Sequence, residues 1–303
     1  MFKLISSNKI IFLGIFLVII QTFFGASFDT ATKFLGSKNN FLWYHYYALG
    51  LSLPMIFFIF FLVITRSVKK NLIFENKIDY FLPLFRGFTF IPVLVIIYYS
   101  LKQIPLNIFT PIIMTTPFFL LIWSSILQKE IISLKHWAIL IIGFAGTILI
   151  AKPTMFQTNI FIYLVFLVAA YNALTSVIVS KFSKNATALG YAFYNLLPLI
   201  LFCIILSVID PVKLIKNDLV VIFTGGFLLF FASLLFNFIF HISGKFTRFI
   251  SPFFFLQLIW ASILGNIFFS EVLDILSLLG MVFIVVSGTL TIMNSKKNFK
   301  QIQ

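Results

Sequence analysis

Ten apolar stretches, each close to the length that crosses a bilayer, follow one another along this chain with only short polar connections between them. They run 10–28, 41–64, 80–99, 106–127, 134–151, 159–180, 189–209, 219–241, 250–269 and 275–293. About 20 consecutive apolar residues span the hydrocarbon core as a helix, and the connections are too short to hold a soluble domain. The expected fold is an all-α integral membrane protein. Composition agrees: 61% of the 303 residues are hydrophobic and 10% charged, where a soluble domain carries about 25% charged residues. Forty-three Phe are more than one aqueous core buries, whereas lipid accepts them around a whole helix.

The formal charge of +14 raises the question of nucleic acid. A nucleic-acid binder gathers its Lys and Arg on one face or tail, but here they sit in small groups between apolar stretches, so no nucleic-acid partner is expected. Alternate connections explain them. With the N-terminus inside, fifteen Lys and Arg fall on the cytoplasmic side, six (Lys33, Lys38, Lys102, Lys152, Lys213 and Lys216) on the other, and Arg86 inside the third stretch. That bias follows the positive-inside rule and puts both termini in the cytoplasm. The first stretch is too long for the ~7–15-residue apolar region of a cleaved signal peptide, despite Lys3 and Lys9 before it and Gly25-Ala26-Ser27 after it. It is read as the first helix. A single Cys203, within an apolar run, leaves no internal disulfide and no Cys-based metal cage.

One stretch has an echo. Tyr98 to Pro153 holds two spans around the polar hinge Gln128-Lys129-Glu130, and Ser251 to Leu290 repeats the plan. Pro252 precedes Glu271 by 19 residues, as Pro111 precedes Glu130. Ten helices with matching fourth–fifth and ninth–tenth pairs imply two five-helix repeats, 1–155 and 156–303. Because five is odd, the second enters the membrane from the opposite side. Inverted repeats of this kind are the architecture of secondary transporters, with the substrate site near the midplane at the repeat interface.

Particular residues carry a resemblance. Phe85-Arg86-Gly87, Tyr98-Tyr99, Ile104-Pro105, Pro117, Glu130 and Gly143 through Pro153 in the first half, and Gln257-Leu258-Ile259-Trp260-Ala261, Gly265, Phe269 through Glu271 and Gly288 in the second, resemble the drug/metabolite transporter superfamily with its EamA domains. Asp29 and Lys33 resemble a branch that includes S-adenosylmethionine uptake transporters. The chain departs from that branch at Tyr44-His45-Tyr46-Tyr47, where an aromatic-Arg pair is usual. The resemblance implies ten helices around a central cavity in a bacterial inner membrane, and alternating-access transport of a small polar organic metabolite, S-adenosylmethionine-like or amino-acid-like. Export of drugs or other metabolites on the same fold is the alternative.

Polar groups deep in lipid are costly and tend to face a cavity. The substrate-binding candidates are Tyr98, Trp123, Tyr171, Asn172, Tyr194, Asn237, Gln257 and Trp260, with Asn195, Thr115 and Thr116 beside them. Aromatic walls with a few amides suit a zwitterion or a planar base. Tyr98, Tyr99 and Tyr194 fit packing or an interfacial belt equally well. Asp29 and Arg86 are coupling or gate candidates. Lys33, four residues on, suits Asp29 as an ion-pair partner, and Arg86 is long enough to snorkel to the cytoplasmic surface. Glu130 and Glu271 are read as helix-start residues, with Ser133 and Asp274 as N-caps. No Gly-rich loop ending in Gly-Lys-Ser/Thr occurs, so neither a nucleotide cofactor nor direct ATP drive is expected; proton coupling and exchange against a counter-substrate both remain compatible. A lipid-modifying membrane enzyme needs clustered acids, His or metal ligands, but the eight acidic residues and three His are scattered. Neither enzyme activity nor a metal is expected.

Overall fold

The computed structural model describes residues 7–36, 42–104, 106–151, 159–182, 186–212, 216–270 and 274–300. Pro105, Pro153 and Glu271, the lysines at 3, 38, 152, 184 and 213, and the proposed repeat boundary at 155 lie outside them. Every regular element among the described residues is helical: α1 (Ser7–Gly36), α2 (Trp43–Ile64), α3 (Val68–Leu72), α4 (Lys77–Gln103), α5 (Leu106–Ile113), α6 (Thr116–Gln128), α7 (Leu134–Ala151), α8 (Ile160–Phe182), α9 (Ala188–Ile209), α10 (Lys216–Ser243), α11 (Thr247–Ile250), α12 (Leu256–Phe269) and α13 (Ile275–Lys300). Two 3-10 turns, Gly244–Phe246 and Ser251–Phe255, flank α11.

Apolar side chains surround the long helices instead of forming one stripe, leaving outer faces of large residues with nothing packed on them. On α2 that face includes Phe57, Phe60 and Ile64, all more than half exposed. Lipid is the solvent in which such a surface is stable. Polar side chains lie inside instead, many of them satisfied locally. Thr30 and Thr32, for example, donate to Ala26 O and Phe28 O one turn back.

Eight helical stretches among the described residues are long and apolar enough to cross a membrane, against the ten expected. The expected eighth and ninth spans form one apolar stretch, Asp218–Phe269, because short 3-10 and α turns continue the chain after Ser243, with Ser243 (φ −125°, ψ 7°) and Phe246 (φ −116°, ψ 31°) departing from helical angles. The expected fifth, Leu134–Ile150, is shorter than the others. Two further expectations are corrected. The first helix runs to Gly36 rather than ending at 28, so Asp29 and Lys33 lie within it. The fourth stretch, 106–127, is broken at Met114–Thr115, between α5 and α6.

Packing is reciprocal between the two halves of the chain. α1 lies against α10 and α12, α8 against α4 and α6, α2 against α9 and α10, and α7 against α13. Small residues permit the closest approaches, as bilayer helices require. A Cβ on Gly146 would stand 2.5 Å from Gly280 O, and one on Gly280 would stand 2.5 Å from Gly146 O. Gly226 of α10 meets the Gly50 backbone of α2 so closely that no Cβ fits.

Candidate functional site

The helices enclose a cavity of about 150 Å³ whose walls come from α1, α4, α5, α6, α8, α9, α10, the 3-10 turn at 251–255 and α12. Helical spacing builds it. On α1, Gln21, Gly25 and Asp29 fall one turn apart on a single face. Arg86, Phe90 and Leu94 do the same on α4, and Leu229, Ser233 and Asn237 on α10. Gly25 leaves room for the Gln257 side chain, whose Oε1 would sit 3.3 Å from a Cβ there. Gly87 lets α4 press on α9 against the Asn195 carbonyl and the Pro198 ring. The neighbouring Arg86 is thereby brought to the same cavity as the Asn195 side chain.

Two buried ionisable side chains face this space, each held by an amide. Asp29, 8% exposed, accepts from Gln257 Nε2 at 2.9 Å. Arg86, 5% exposed, donates from Nη1 to Asn237 Oδ1 at 3.2 Å, and its guanidinium lies 5.3 Å from the centre of the Phe90 ring. Asn237 is itself aimed by its Nδ2, which donates to Ser233 O at 2.8 Å. Arg86 therefore turns inward and does not snorkel. It stands nine residues after Lys77, about 13 Å along the helix at ~1.5 Å per residue.

Several polar atoms on these walls have no partner: Arg86 Nε, Gln21 Oε1, Asn172 Oδ1, and both Oδ1 and Nδ2 of Asn195. A buried polar atom left unpaired costs about 1–3 kcal/mol. So many around one space mark it as a place where water or a ligand completes the bonding. The volume is below the ~300–1,000 Å³ of a pocket for a drug-sized ligand, so an occupant of that size requires the walls to part.

Of the expected substrate-binding residues, Asn172, Asn237 and Gln257 line the cavity, as do Asp29 and Arg86. The aromatic ones lie elsewhere. Tyr194 donates to Leu72 O at 2.7 Å and packs edge-on against Tyr80. Tyr98 joins Tyr46 and Tyr47 in a buried ring cluster. Tyr171 bonds the Thr89 hydroxyl behind the wall. Trp260 meets the edge of Phe23, and Trp123 packs beside the core formed by Ile11, Leu120 and Phe254. Sequence reasoning overlooked Gln21 and Ser233, although each sits one or two turns from a named candidate on the same helix face.

The connections carry bonds of their own. Asp210, at the end of α9, accepts from the Tyr44 hydroxyl, and its carbonyl bonds His45 at 2.6 Å. Glu130, beyond α6, accepts from Arg248 N at 3.3 Å and stands 3.5 Å from Arg248 Nε. This joins the α6–α7 hinge to the α10–α12 link, a tie more specific than the helix-start role expected from sequence. Ser133 does begin α7, its carbonyl accepting from His136 N at 3.0 Å and its hydroxyl contacting His136 Nδ1 at 2.7 Å. Asp274 caps α13, accepting from Ser277 N at 3.0 Å.

Burial pushes the Glu130 carboxyl from 4.5 up to about 6, against the opposing pull of Arg248. A carboxyl whose pKa is raised by folding holds its proton more tightly in the native state. Its stabilising contribution is therefore complete below pH ~4.5 and lost as pH rises through ~6. The thermal midpoint in detergent is expected to drop across that window by the equivalent of at most ~2 kcal/mol. Glu130→Gln is expected to remove that part of the pH slope, and an unchanged slope would place its origin elsewhere.

Residues 12–152 match the EamA-like transporter family. The S-adenosylmethionine uptake transporter of Rickettsia prowazekii (strain Madrid E) is 25% identical over 203 residues, 66% of this chain and 67% of the relative. A solved crystal structure superposes with a TM-score of 0.71 at 14% identity, covering 96% of this chain and 98% of its own. At that identity the likeness speaks for the fold alone.

Proposed function

We propose that the chain is a secondary carrier that binds a small polar organic metabolite in the central cavity and exposes it alternately to the two sides of a bacterial inner membrane. Two inverted EamA-like repeats, residues 1–155 and 156–303, supply ten crossings, with both termini cytoplasmic. The 52-residue stretch Asp218–Phe269 would be ~78 Å long as one straight helix, against a hydrocarbon core of ~30 Å. It therefore folds back at the 3-10 turns and makes two crossings. The shorter α7 makes another.

Several correspondences support the repeat. The fourth and ninth crossings are both discontinuous, with Pro117 in the first turn of α6 and Pro252 in the first turn of the 3-10 segment. Both end on a non-Gly residue in left-handed conformation, Lys129 (φ 56°, ψ 33°) and Ser270 (φ 56°, ψ 30°). Broken helices beside a midplane cavity are where secondary transporters place their ligands.

The observation that carries the functional reading is the cluster of unpartnered buried polar atoms between the two halves. Asn172, Asn237 and Gln257 are the proposed amide contacts, with Asp29 and Arg86 placed to gate or couple. Tyr98, Trp123, Tyr171, Tyr194 and Trp260 brace the walls. The name of the Rickettsia relative makes S-adenosylmethionine the first substrate to try, and its being a transporter favours carriage over catalysis. Purified protein in sealed vesicles is expected to exchange labelled S-adenosylmethionine or a labelled amino acid above empty vesicles. Counterflow reads exchange whichever way net transport runs, so it serves import and export alike. No exchange of either solute would sink the reading.

A further inference from the structure

We infer that Asp29 and Arg86 are the two poles of the ligand site, and that they select a zwitterion whose cationic group rests at Asp29 and Gln257 and whose carboxylate rests at Arg86. This deepens the carrier reading and rests on it. It moves both residues from gating or coupling to direct recognition.

The cavity walls carry one carboxylate and one guanidinium. They stand on different helices, and among the described residues no ion pair joins them. Each is held by a neutral amide, which satisfies a fraction of its capacity. A carboxylate offers about four lone-pair sites and a guanidinium five N–H donors, while among the described residues Asp29 accepts from Gln257 alone and Arg86 donates to Asn237 alone. Arg86 Nε is left without a partner. Two opposite charges kept apart in a poorly polarisable interior are both incompletely compensated. A ligand carrying one charge of each sign completes both at once.

A purely anionic or purely cationic ligand leaves one pole unpaired, and a neutral one leaves two. Asn195, 1% exposed with both amide atoms unpartnered, offers a donor and an acceptor to the ligand. Phe28 and Phe90 supply apolar walls for its body. An α-amino acid, or a sulfonium derivative of one, has this pattern of charges and surface.

The test uses the purified full chain and four probes: L-methionine, S-adenosylmethionine, methionine methyl ester, which lacks the carboxylate, and N-acetylmethionine, which lacks the ammonium. Binding is read by thermal shift and carriage by counterflow. The first two are expected to protect the protein, and each blocked analogue to bind at least tenfold more weakly than methionine. Arg86→Gln is expected to weaken methionine tenfold or more and raise the ester relative to it. Asp29→Asn is expected to do the same in favour of N-acetylmethionine. Arg86→Lys keeps a cation at that pole, is expected to retain the parent's preference for a free carboxylate, and keeps the test decisive if the Gln variant is unstable. Equal protection by parent and blocked compounds, protection by none of the four, or preferences that neither substitution moves would overturn the assignment. Flux of labelled solute that persists in those cases leaves the carrier reading standing. Zwitterion-selective protection without flux of any probe overturns the carrier reading and leaves the site.

Discussion

Asn237→Leu is expected to destabilise the protein by about 3 kcal/mol and to abolish transport. The change removes the acceptor of the Arg86 guanidinium, and no other described residue replaces it. Stripping the partner from a buried charge costs about 3–5 kcal/mol, and the lower end fits a guanidinium that keeps its contact with the Phe90 ring. Asn237→Asp is the informative companion. It offers Arg86 a charged acceptor and is expected to keep the thermal midpoint, while it tightens the arginine away from the ligand and lowers flux. Wild-type stability in the Leu variant, measured by thermal denaturation in detergent, would mean that Arg86 does not depend on this bond.

A larger structural effect is expected from Gly226→Val. The Gly226 Cα stands against the Gly50 backbone of α2, where rigid main chain on both sides cannot yield as the tip of a side chain would. The helices must separate along their length, losing the packing of Met55, Phe58 and Phe230 in the same core. Overpacking typically costs 1–3 kcal/mol and more where backbone must move, so a penalty above about 3 kcal/mol and loss of the monodisperse peak on size exclusion are expected. Gly288→Ala is the contrast. Its added methyl would meet an edge of the Phe253 ring at 3.1 Å, which a small tilt relieves, and the variant is expected to purify normally. If Gly226→Val purifies equally well, the α2–α10 contact is looser than described.

The all-helical fold was legible in the sequence because membrane length is a property of unbroken apolar runs, which local composition displays directly. Where the runs stop being independent, legibility failed. Lys245, Arg248 and Pro252 mark a connection between the 219–241 and 250–269 stretches but do not tell a non-helical loop from short 3-10 turns, and Pro117, in the first turn of α6, marks a break in the 106–127 stretch without fixing it at Met114. Glu130 of the first hinge is not among the residues lining the cavity, and its partner Arg248 lies 118 residues away, beyond the reach of any periodicity.

The candidate site divides along the same line. Asn172, Asn237 and Gln257 announced themselves because an amide in lipid is expensive wherever it points. The rings of the aromatic candidates pack on apolar neighbours without that cost, although the indole Nε1 atoms of Trp123 and Trp260 are themselves buried without a partner. Tyr194 and Trp260 are equally at home against Leu72 and Phe23, and composition cannot tell a cavity wall from a packing seam. Arg86 was ambiguous for a physical reason. Its reach allows either escape to the surface or burial, and the outcome turns on Gly87 permitting close approach to α9 and on Asn237 arriving from α10.

That last dependence sets an order of events during synthesis. Arg86 and Asn237 are separated by 151 residues, and chains are made at about 5–20 residues per second. The arginine therefore waits roughly 8–30 s after its own synthesis before its acceptor exists. Throughout that interval the nascent first half has no native partner for the charge. A hold-up in the insertion machinery, or a helix parked at the interface until the second half emerges, is the expected consequence.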